Sequence, residues 1–257
     1  MASHPTVNLS FVGIIPARFA STRFPGKPLA DIGGKTMIQR VYEQASKVLD
    51  KVYVATDDKR IYKCVTDFGG EALMTSTEAK SGTDRCYEAV IQLQENFDAV
   101  INIQGDEPFI QPEQILTLQQ CFEDEHTQIA TLAKIIPETE NYDYIQNPNR
   151  PKIVLNKNHE ALYFSRQVIP YQRNAATEHW ILNHQYYVHV GIYAYRTEIL
   201  KELCSLPISS LEKAESLEQL RWLENGYRIK VGFTTAESYG IDTPEDLEKV
   251  RKMFLVE

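Results

Sequence analysis

The first half of the chain alternates between short apolar segments and amphipathic segments, and this alternation restricts the possible folds most strongly. Residues 9–15, 51–56 and 99–103 are apolar runs with the length of buried strands. Between the first two runs, Thr36 can cap a helix whose apolar positions recur at helical spacing between Ile38 and Leu49. Strands that alternate with helices in this way predict a largely parallel sheet with helices on both faces.

The second half of the chain has a different pattern. Residues 129–136, 152–155, 161–164 and 188–195 have the composition of β segments. The polar run 156–159 between two of them predicts a hairpin. We therefore expect a smaller, mixed β region after the parallel sheet.

Two further helices are expected toward the end of the chain. Residues 212–225 form an amphipathic segment, and Gly226 follows it as the typical residue beyond a helix end. Residues 228–233 then predict a strand. Thr243 followed by Pro244 supplies the cap and the first position of a final helix.

Composition excludes several classes of protein. The chain has 257 residues and a net charge of -8, so it gains no long-range attraction to nucleic acid or anionic lipid. Its 4 cysteines contain no C-x-x-C spacing, which argues against a zinc knuckle or a redox pair. No apolar run approaches about 20 residues, and residues 1–10 lack the pattern of a secretory signal. We expect a cytoplasmic protein without membrane insertion.

A basic loop follows the first apolar run. It carries Arg18, Arg23 and Lys27 among Pro, Gly, Ser and Thr residues. Open α/β sheets bind ligands beyond the carboxyl ends of their strands, and arginine with lysine suits a polyphosphate. We expect these cations to bind a triphosphate, although solvated surface cations are the alternative. Lys27 is followed by Pro28, which excludes a Walker A motif.

Two acidic turns are candidate metal ligands. Asp106 follows the third apolar run, and Asp242 precedes the helix cap Thr243. Mg²⁺ needs few protein carboxylates when nucleotide phosphates complete its coordination. Taken alone, the turn at Asp106 is equally consistent with a plain turn, and Asp242 is better explained as a turn acid near a helix N-terminus.

Other polar segments have both a structural and a functional interpretation. Ser81, Gly82 and Thr83 open a predicted helix, whose free N–H groups can read the polar edge of a base, but plain helix capping explains them equally well. In the second half, His189 and the acids of residues 211–220 stand among aromatic and basic residues, as in a sugar-acid pocket. A core histidine and a solvated helix face are the more common explanations.

Eight segments taken together resemble the 3-deoxy-manno-octulosonate cytidylyltransferases, also called CMP-Kdo synthetases. They are IIPARFASTRFPGKPL, VATDD, KSGTDR, NIQGDEP, ALYFSR, HVGIYAYR, SLEKAESLEQLR and GIDTPEDL. They follow the family order from about residue 11 to 254, so the resemblance covers nearly the whole chain. The sialic acid cytidylyltransferases share the basic loop but lack the NIQGDEP and LEQLR segments.

The resemblance implies a fold, a reaction and partners. The fold is an α/β, three-layer nucleotide-diphospho-sugar transferase with a mostly parallel mixed central sheet and a smaller β-rich region, in a homodimer. A single domain 1–257 would comprise a nucleotide-binding half (9–125), a sugar-binding and dimerisation half (126–240) and a C-terminal helix (241–257) that returns to the core. The reaction is Mg²⁺-dependent: CTP and 3-deoxy-D-manno-octulosonate (Kdo) give CMP-Kdo and pyrophosphate, before lipopolysaccharide inner-core assembly.

The resemblance also implies roles for individual residues. Arg18 and Lys27 match the catalytic loop cations, and Asp106 and Asp242 match the metal carboxylates. The nucleotide site is expected to contain Arg18, Ser21, Arg23, Lys27, Ser81, Gly82, Thr83 and Arg85. The sugar pocket is expected to contain Gln104, Arg166, His189, Tyr193, Glu215 and Gln219.

Two alternatives stay open at the level of sequence. The sugar can be an amino-substituted Kdo or another 2-keto sugar acid, because one pocket contact is enough to exchange a hydroxyl for an amine. The chain can also be a non-catalytic nucleotide-binding subunit. The joint presence of two loop cations and two candidate metal carboxylates argues against that second alternative.

Overall fold

The computed structural model describes residues 9–21, 23–237 and 239–254, and it describes only the backbone of residues 253 and 254. The described strands are β1 (Phe11–Ala17), β2 (Asp31–Ile32), β3 (Lys35–Thr36), β4 (Val52–Thr56), β5 (Glu71–Met74), β6 (Ala99–Asn102), β7 (Ile129–Ile135), β8 (Lys152–Leu155), β9 (Ala161–Ser165), β10 (Tyr187–Arg196) and β11 (Ile229–Thr234). The described helices are α1 (Met37–Ala45), α2 (Lys59–Asp67), α3 (Gly82–Val90), α4 (Pro112–Gln120), α5 (Tyr142–Gln146), α6 (Trp180–Asn183), α7 (Thr197–Ser205), α8 (Ser210–Glu215), α9 (Gln219–Glu224) and α10 (Pro244–Phe254). Among these helices, none combines the length and the apolar character that a bilayer crossing requires.

The described residues form two compact units. The first contains the described residues up to Leu116, the segment Ala194–Cys204 and the described residues from Glu237 to Phe254. The second contains Thr117–Tyr193 and Ser205–Ala236. Each unit is therefore assembled from more than one segment of the chain.

The first unit is built on the predicted parallel sheet. Its strands lie in the order β6, β1, β4, β5, and each neighbouring pair is parallel. Ala17 at the end of β1 pairs with Thr56 of β4, and Thr56 pairs with Met74 of β5. The carboxyl ends of the strands therefore meet at one edge, and the loops that leave them emerge side by side.

Helix α1 shows how the sequence pattern positions these strands. The Thr36 hydroxyl accepts a hydrogen bond from the Gln39 N–H, and the apolar residues of the helix are buried. Gly13 in β1 permits the close packing of Leu49, since a Cβ there would lie 2.8 Å from the Leu49 Cδ1. The predicted cap is confirmed, but the helix ends at Ala45, so Val48 and Leu49 of the predicted apolar face lie beyond it.

Helix α10 also begins as predicted. Thr243 and Asp246 exchange hydrogen bonds between their side chains and backbone N–H groups at 3.1 and 3.2 Å, which satisfies the first turn. Ile241 and Leu247 are buried with Ile32 and Met37 in one apolar cluster of the first unit. This packing fixes the segment that carries Asp242 within the first unit.

The second unit contains the mixed β region that the sequence predicts. Strand β7 lies between β10 and β11 and is parallel to β11. Strand β8 pairs antiparallel with both β9 and β10. Residues 156–159 connect β8 to β9, so the predicted hairpin is confirmed.

The predicted single helix over residues 212–225 is wrong. Two short helices, α8 and α9, occupy this region instead. Ser216 ends α8 in the left-handed conformation, with φ 53° and ψ 48°, and a right-handed helix cannot continue through it. The apolar periodicity runs across the break, and no glycine or asparagine marks the position.

Substitution of Ser216 should separate backbone strain from side-chain contacts. A non-glycine residue in the left-handed region destabilises the folded state by about 1–2 kcal/mol. Glycine avoids that strain, but it loses more conformational entropy on folding, which costs about 0.5–1 kcal/mol. Ser216→Gly should therefore raise the free energy of unfolding by up to about 1 kcal/mol, and Ser216→Val should lower it. Urea denaturation measures both.

Ser46 supplies the matched control for this prediction. It is an exposed helix-end serine with φ -68°, where glycine brings no relief of strain. Ser46→Gly should lower the free energy of unfolding. A loss of stability in Ser216→Gly equal to that in Ser46→Gly would contradict the strain at position 216.

Candidate active site

A pocket of about 280 Å³ opens at the carboxyl edge of the parallel sheet in the first unit. The loop after β1, the segment before α3 and the turn after β6 supply most of its wall. Two carboxylates line it, Asp106 and Asp242, against five cationic side chains: Arg18, Arg23, Lys27, Lys80 and Arg85. Although the chain has a net charge of -8, this pocket has a local excess of positive charge that suits an anionic ligand.

Lys27 lies between the two carboxylates. Its Nζ donates to the Asp106 Oδ2 at 2.7 Å and to the Asp242 Oδ1 at 3.2 Å. Arg23 contacts the other oxygen of Asp242 at 3.1 Å. The Lys27 side chain is only 13% exposed and that of Arg23 is 66% exposed, so Lys27 makes the less screened ion pairs.

The two acidic turns are brought together by the backbone as well as by Lys27. The Ile241 N–H donates to the Asp106 carbonyl oxygen at 2.9 Å, and the Ile241 side chain is fully buried. Gly105 lets the first turn pass close to β1, because a Cβ there would lie 2.9 Å from the Pro16 carbonyl oxygen. The adjacency of Asp106 and Asp242 is thus part of the fold.

The basic loop closes on itself around Phe19. Gly26 adopts φ 71° and donates its N–H to the Phe19 carbonyl oxygen at 2.9 Å, while the Phe19 ring packs against it. The Arg60 guanidinium lies 3.3 Å from the centroid of that ring. Asp58 holds Arg60 through two hydrogen bonds, which lower the pKa of Asp58 to about 2. The loop that carries Lys27 is therefore anchored to α2.

Two other predicted residues of this loop line the pocket. Ser21 contributes to the wall, and Arg18 is exposed. Within the described part of the chain, Arg18 has no ion-pair partner. Its guanidinium is therefore available to an anionic ligand.

The segment before α3 combines a capping role with a pocket wall. The Ser81 hydroxyl accepts from the Asp84 N–H at 3.1 Å, and the Asp84 carboxylate accepts from the Ser81 N–H, so the capping interpretation is confirmed. Ser81 and Gly82 also line the pocket. Thr83 is buried behind them and is not part of the lining.

Arg85 is the buried cation of the pocket. Its side chain is 5% exposed and donates to the Asp57 Oδ2 at 2.9 Å and to the Thr75 Oγ1 at 2.5 Å. A buried guanidinium that is paired in this way braces the loops after β4 and β5. If Arg85 contacts the nucleotide as predicted, its guanidinium is already held in position by Asp57 and Thr75.

The predicted sugar-pocket residues are distributed over both units. Gln104 lines the pocket of the first unit, and the other five belong to the second unit. There, the His189 Nε2 lies 2.9 Å from the Tyr193 hydroxyl and 3.1 Å from the Thr131 Oγ1. Gln219 is buried, and its Nε2 has no hydrogen-bond partner among the described residues.

Arg166 and Glu215 form a second group in that unit. The Glu215 carboxylate accepts from the Ser165 hydroxyl at 2.6 Å and from the Arg166 N–H at 2.9 Å. The Arg166 guanidinium donates to the carbonyl oxygens of Glu215 and Pro148 at 2.6 and 2.9 Å. The fold holds both charged groups in one arrangement, as a binding site requires.

Burial sets the protonation of the histidine and the tyrosine. It lowers the pKa of His189 to about 3 and raises the pKa of Tyr193 well above its ordinary value. Both side chains are therefore neutral at pH 7 and form a hydrogen-bonding pair without charge. This state agrees with a satisfied core histidine and equally with a group that orients a ligand hydroxyl.

Sequence reasoning missed two residues of this site. Lys80 lines the pocket, and Asp57 neutralises the buried guanidinium of Arg85. Asp57 directly follows β4, so the rule that placed Asp106 at a strand end would also have selected it. The role of Lys80 has no comparable signal in the sequence.

Comparison with known proteins adds to this geometry. The cytidylyltransferase family model matches residues 12–231. A 3-deoxy-manno-octulosonate cytidylyltransferase of Bacteroides thetaiotaomicron is 63% identical over 240 residues, which cover 93% of this chain and 96% of that protein. One of Porphyromonas gingivalis is 55% identical over 243 residues, covering 95% and 96%.

The chain belongs to the 3-deoxy-manno-octulosonate cytidylyltransferase family. A solved structure of CMP:2-keto-3-deoxy-manno-octonic acid synthetase complexed with CTP is similar to it, with a TM-score of 0.87 and 44% identity over 96% of this chain and 98% of that one. The resemblance that the sequence motifs indicated, and the α/β fold it implied, are therefore confirmed for this member of the 3-deoxy-manno-octulosonate cytidylyltransferase family.

The depressed pKa of His189 predicts how stability depends on pH. With a pKa of about 3 in the folded protein and an ordinary value of 6.5, the unfolded chain binds more protons between these limits. The free energy of unfolding should fall as the pH drops below 6.5, by up to ~1.4 kcal/mol per pH unit. This slope corresponds to a tenfold increase in the unfolding equilibrium constant per pH unit. Urea denaturation at several pH values measures the slope.

Variants identify the source of that slope. His189→Gln should unfold with a shallower dependence between pH 4 and 6.5, because its side chain does not titrate. His126→Gln is the control, since His126 is exposed. Equal slopes in the two variants would show that His189 is not the group responsible.

Proposed function

We propose that this chain transfers the cytidylyl group of CTP to the anomeric hydroxyl of Kdo, with release of pyrophosphate. The observation that carries this proposal is the pocket of the first unit, where five cations and two adjacent carboxylates meet at the ends of parallel strands. The names of the relatives, and the bound CTP of the matching structure, support the choice of nucleotide and sugar.

Charge neutralisation is the main task of the pocket in this reaction. CTP brings about four negative charges and Kdo adds a carboxylate, so positioning and charge stabilisation dominate catalysis. Arg18 is exposed and unpaired among the described residues, and Lys27 is a mobile point charge beside it in the wall. Both would stabilise the negative charge that develops on the leaving pyrophosphate.

The two carboxylates fit a magnesium ion. Their oxygens lie 2.7 and 3.2 Å from one ammonium nitrogen, so a single cation reaches both. The described residues contain no group of three or more metal-binding side chains, and Mg²⁺ commonly takes one or two carboxylates with phosphates and water. Asp106 and Asp242 would hold the ion. When bound, Mg²⁺ supplies charge neutralisation and lowers the pKa of a bound hydroxyl.

We also propose that five residues of the second unit bind the sugar acid: Arg166, His189, Tyr193, Glu215 and Gln219. Support comes from the neutral His189–Tyr193 pair, which suits a sugar hydroxyl, and from the buried Gln219 Nε2, which has no hydrogen-bond partner in the described part of the chain. An amino-substituted Kdo would use the same kinds of contact. Reaction rates with a panel of sugar acids therefore distinguish Kdo from its amino-substituted form.

Assembly and cellular role belong to the same proposal. The second unit exposes the large apolar side chains of Leu162, Tyr171 and Leu182, which supports a homodimer that covers them. We propose that this dimer works in the cytoplasm and supplies CMP-Kdo for lipopolysaccharide inner-core assembly. Light scattering on the purified chain tests the dimer.

Pyrophosphate release is the direct test of the activity. The purified chain with CTP, Mg²⁺ and Kdo should release pyrophosphate at a rate that depends on the sugar and disappears with a chelator. Release with an amino-substituted Kdo but not with Kdo would move the proposal to that sugar. Silence with every sugar acid would favour the non-catalytic alternative.

The metal carboxylates can be tested separately. Asp106→Asn and Asp242→Asn should each lower kcat at least about 100-fold, because a neutral amide is a poor Mg²⁺ ligand. Circular dichroism should show an unchanged fold. Asp67→Asn is the control, since Asp67 is exposed and its ion-pair partner among the described residues is Lys63 on α2. Normal turnover in either site variant would remove that carboxylate from the mechanism.

A further inference from the structure

The position of Lys27 has a consequence for metal binding. Its ammonium contacts one oxygen of each carboxylate, at 2.7 and 3.2 Å, and its side chain is only 13% exposed. A divalent cation bound to these same two oxygens would lie about 2.0–2.1 Å from each of them. Two cations cannot share them at such distances, because their mutual repulsion in a partly desolvated site is large.

We propose that Lys27 and the divalent cation are alternative occupants of the Asp106–Asp242 pair, and that the nucleotide triphosphate decides between them. The inference rests on the proposed function, since it takes CTP and a divalent cation as the ligands of this pocket. In the free protein the ammonium neutralises the pair. When a triphosphate enters, it offers Lys27 a stronger anionic partner and releases the carboxylates.

The chemistry of Lys27 allows this exchange. A lysine ammonium is a point charge on a flexible four-carbon stem, so it can change partners without the planar geometry that arginine requires. The same pocket contains Arg18, which the triphosphate would also contact. A short movement of the Lys27 ammonium toward bound phosphates therefore leaves the two carboxylates in place, held by the Ile241–Asp106 backbone hydrogen bond.

Arg23 does not have this role. Among the described residues its ion-pair partner is Asp242, at 3.1 Å, and two thirds of its side chain is exposed. An ion pair so open to water contributes little and leaves the site easily. Removal of the Lys27 ammonium would therefore leave Asp106 and Asp242 without the positive charge that bridges them.

The exchange makes metal and nucleotide binding cooperative. Free protein should bind a divalent cation weakly, because the pair already has a counterion. The nucleotide should increase the affinity for the metal, and by linkage the metal should increase the affinity for the nucleotide by the same factor. The chain would therefore select the metal–nucleotide complex over either ligand alone.

The test measures Mn²⁺ binding to the full chain without nucleotide, by electron paramagnetic resonance. Lys27→Met keeps the length of the side chain and removes its charge. It should bind Mn²⁺ at least tenfold more tightly than the unmodified chain. The double variant Lys27→Met/Asp106→Asn should lose this gain, which would show that the tighter binding uses the carboxylate pair.

Arg18→Met is the matched control. It removes one positive charge from the same pocket, and in the described part of the chain Arg18 has no ion pair with either carboxylate, so it reports the general electrostatic effect. Its nucleotide-free Mn²⁺ affinity should stay within about threefold of the unmodified chain. Equal gains in Lys27→Met and Arg18→Met, or no gain in Lys27→Met, would overturn the exchange.

Failure of the exchange can be told apart from failure of the proposed function. If the unmodified chain binds Mn²⁺ with CTP and releases pyrophosphate, but Lys27→Met gains no nucleotide-free affinity, only the exchange is wrong. If no form of the chain binds Mn²⁺ even with CTP, and no pyrophosphate is released, both are overturned.

Discussion

The parallel hydrogen bonding of β1 with β4 and β6 is the constraint on which the rest of the first unit depends. Parallel pairing places the carboxyl ends of the strands at one edge, so every loop that leaves them faces the same space. The basic loop and the turn at Asp106 are neighbours for this reason. The fold therefore holds the cations of the basic loop and the carboxylate of Asp106 at fixed separations, which an unfolded chain would not do.

The cations at this edge of the sheet are of two kinds: some stabilise the structure, and others are exposed to a ligand. The guanidinium of Arg85 is buried and paired with Asp57, and it braces the loops beneath the pocket. Arg18 stands exposed in the wall. Lys27 combines both situations, because it is mostly buried yet has a flexible stem. Burial and pairing, more than residue type, therefore distinguish a bracing cation from one that is free to bind.

Much of the fold was readable from sequence because its determinants are local. The cap at Thr36, the start of α10 and the hairpin between β8 and β9 depend on neighbouring residues alone. The contacts of Lys27 were not readable, since they join residues 79 and 215 positions apart. The break at Ser216 was also hidden, because a serine in the left-handed region follows from tertiary packing and not from its own preference.

The late position of α10 in the chain has a consequence for biosynthesis. Ile241, Leu247 and Val250 share an apolar cluster with Ile32 and Met37, so the first unit needs residues that are far apart in the sequence. Domains whose segments emerge from the ribosome in order can begin to fold during synthesis. Here Asp242 is the last lining residue of the pocket in sequence order, so it is translated after all the others. A nascent chain that stops before Ile241 lacks three residues of this cluster, so Ile32 and Met37 have no cover from them until synthesis has passed Val250.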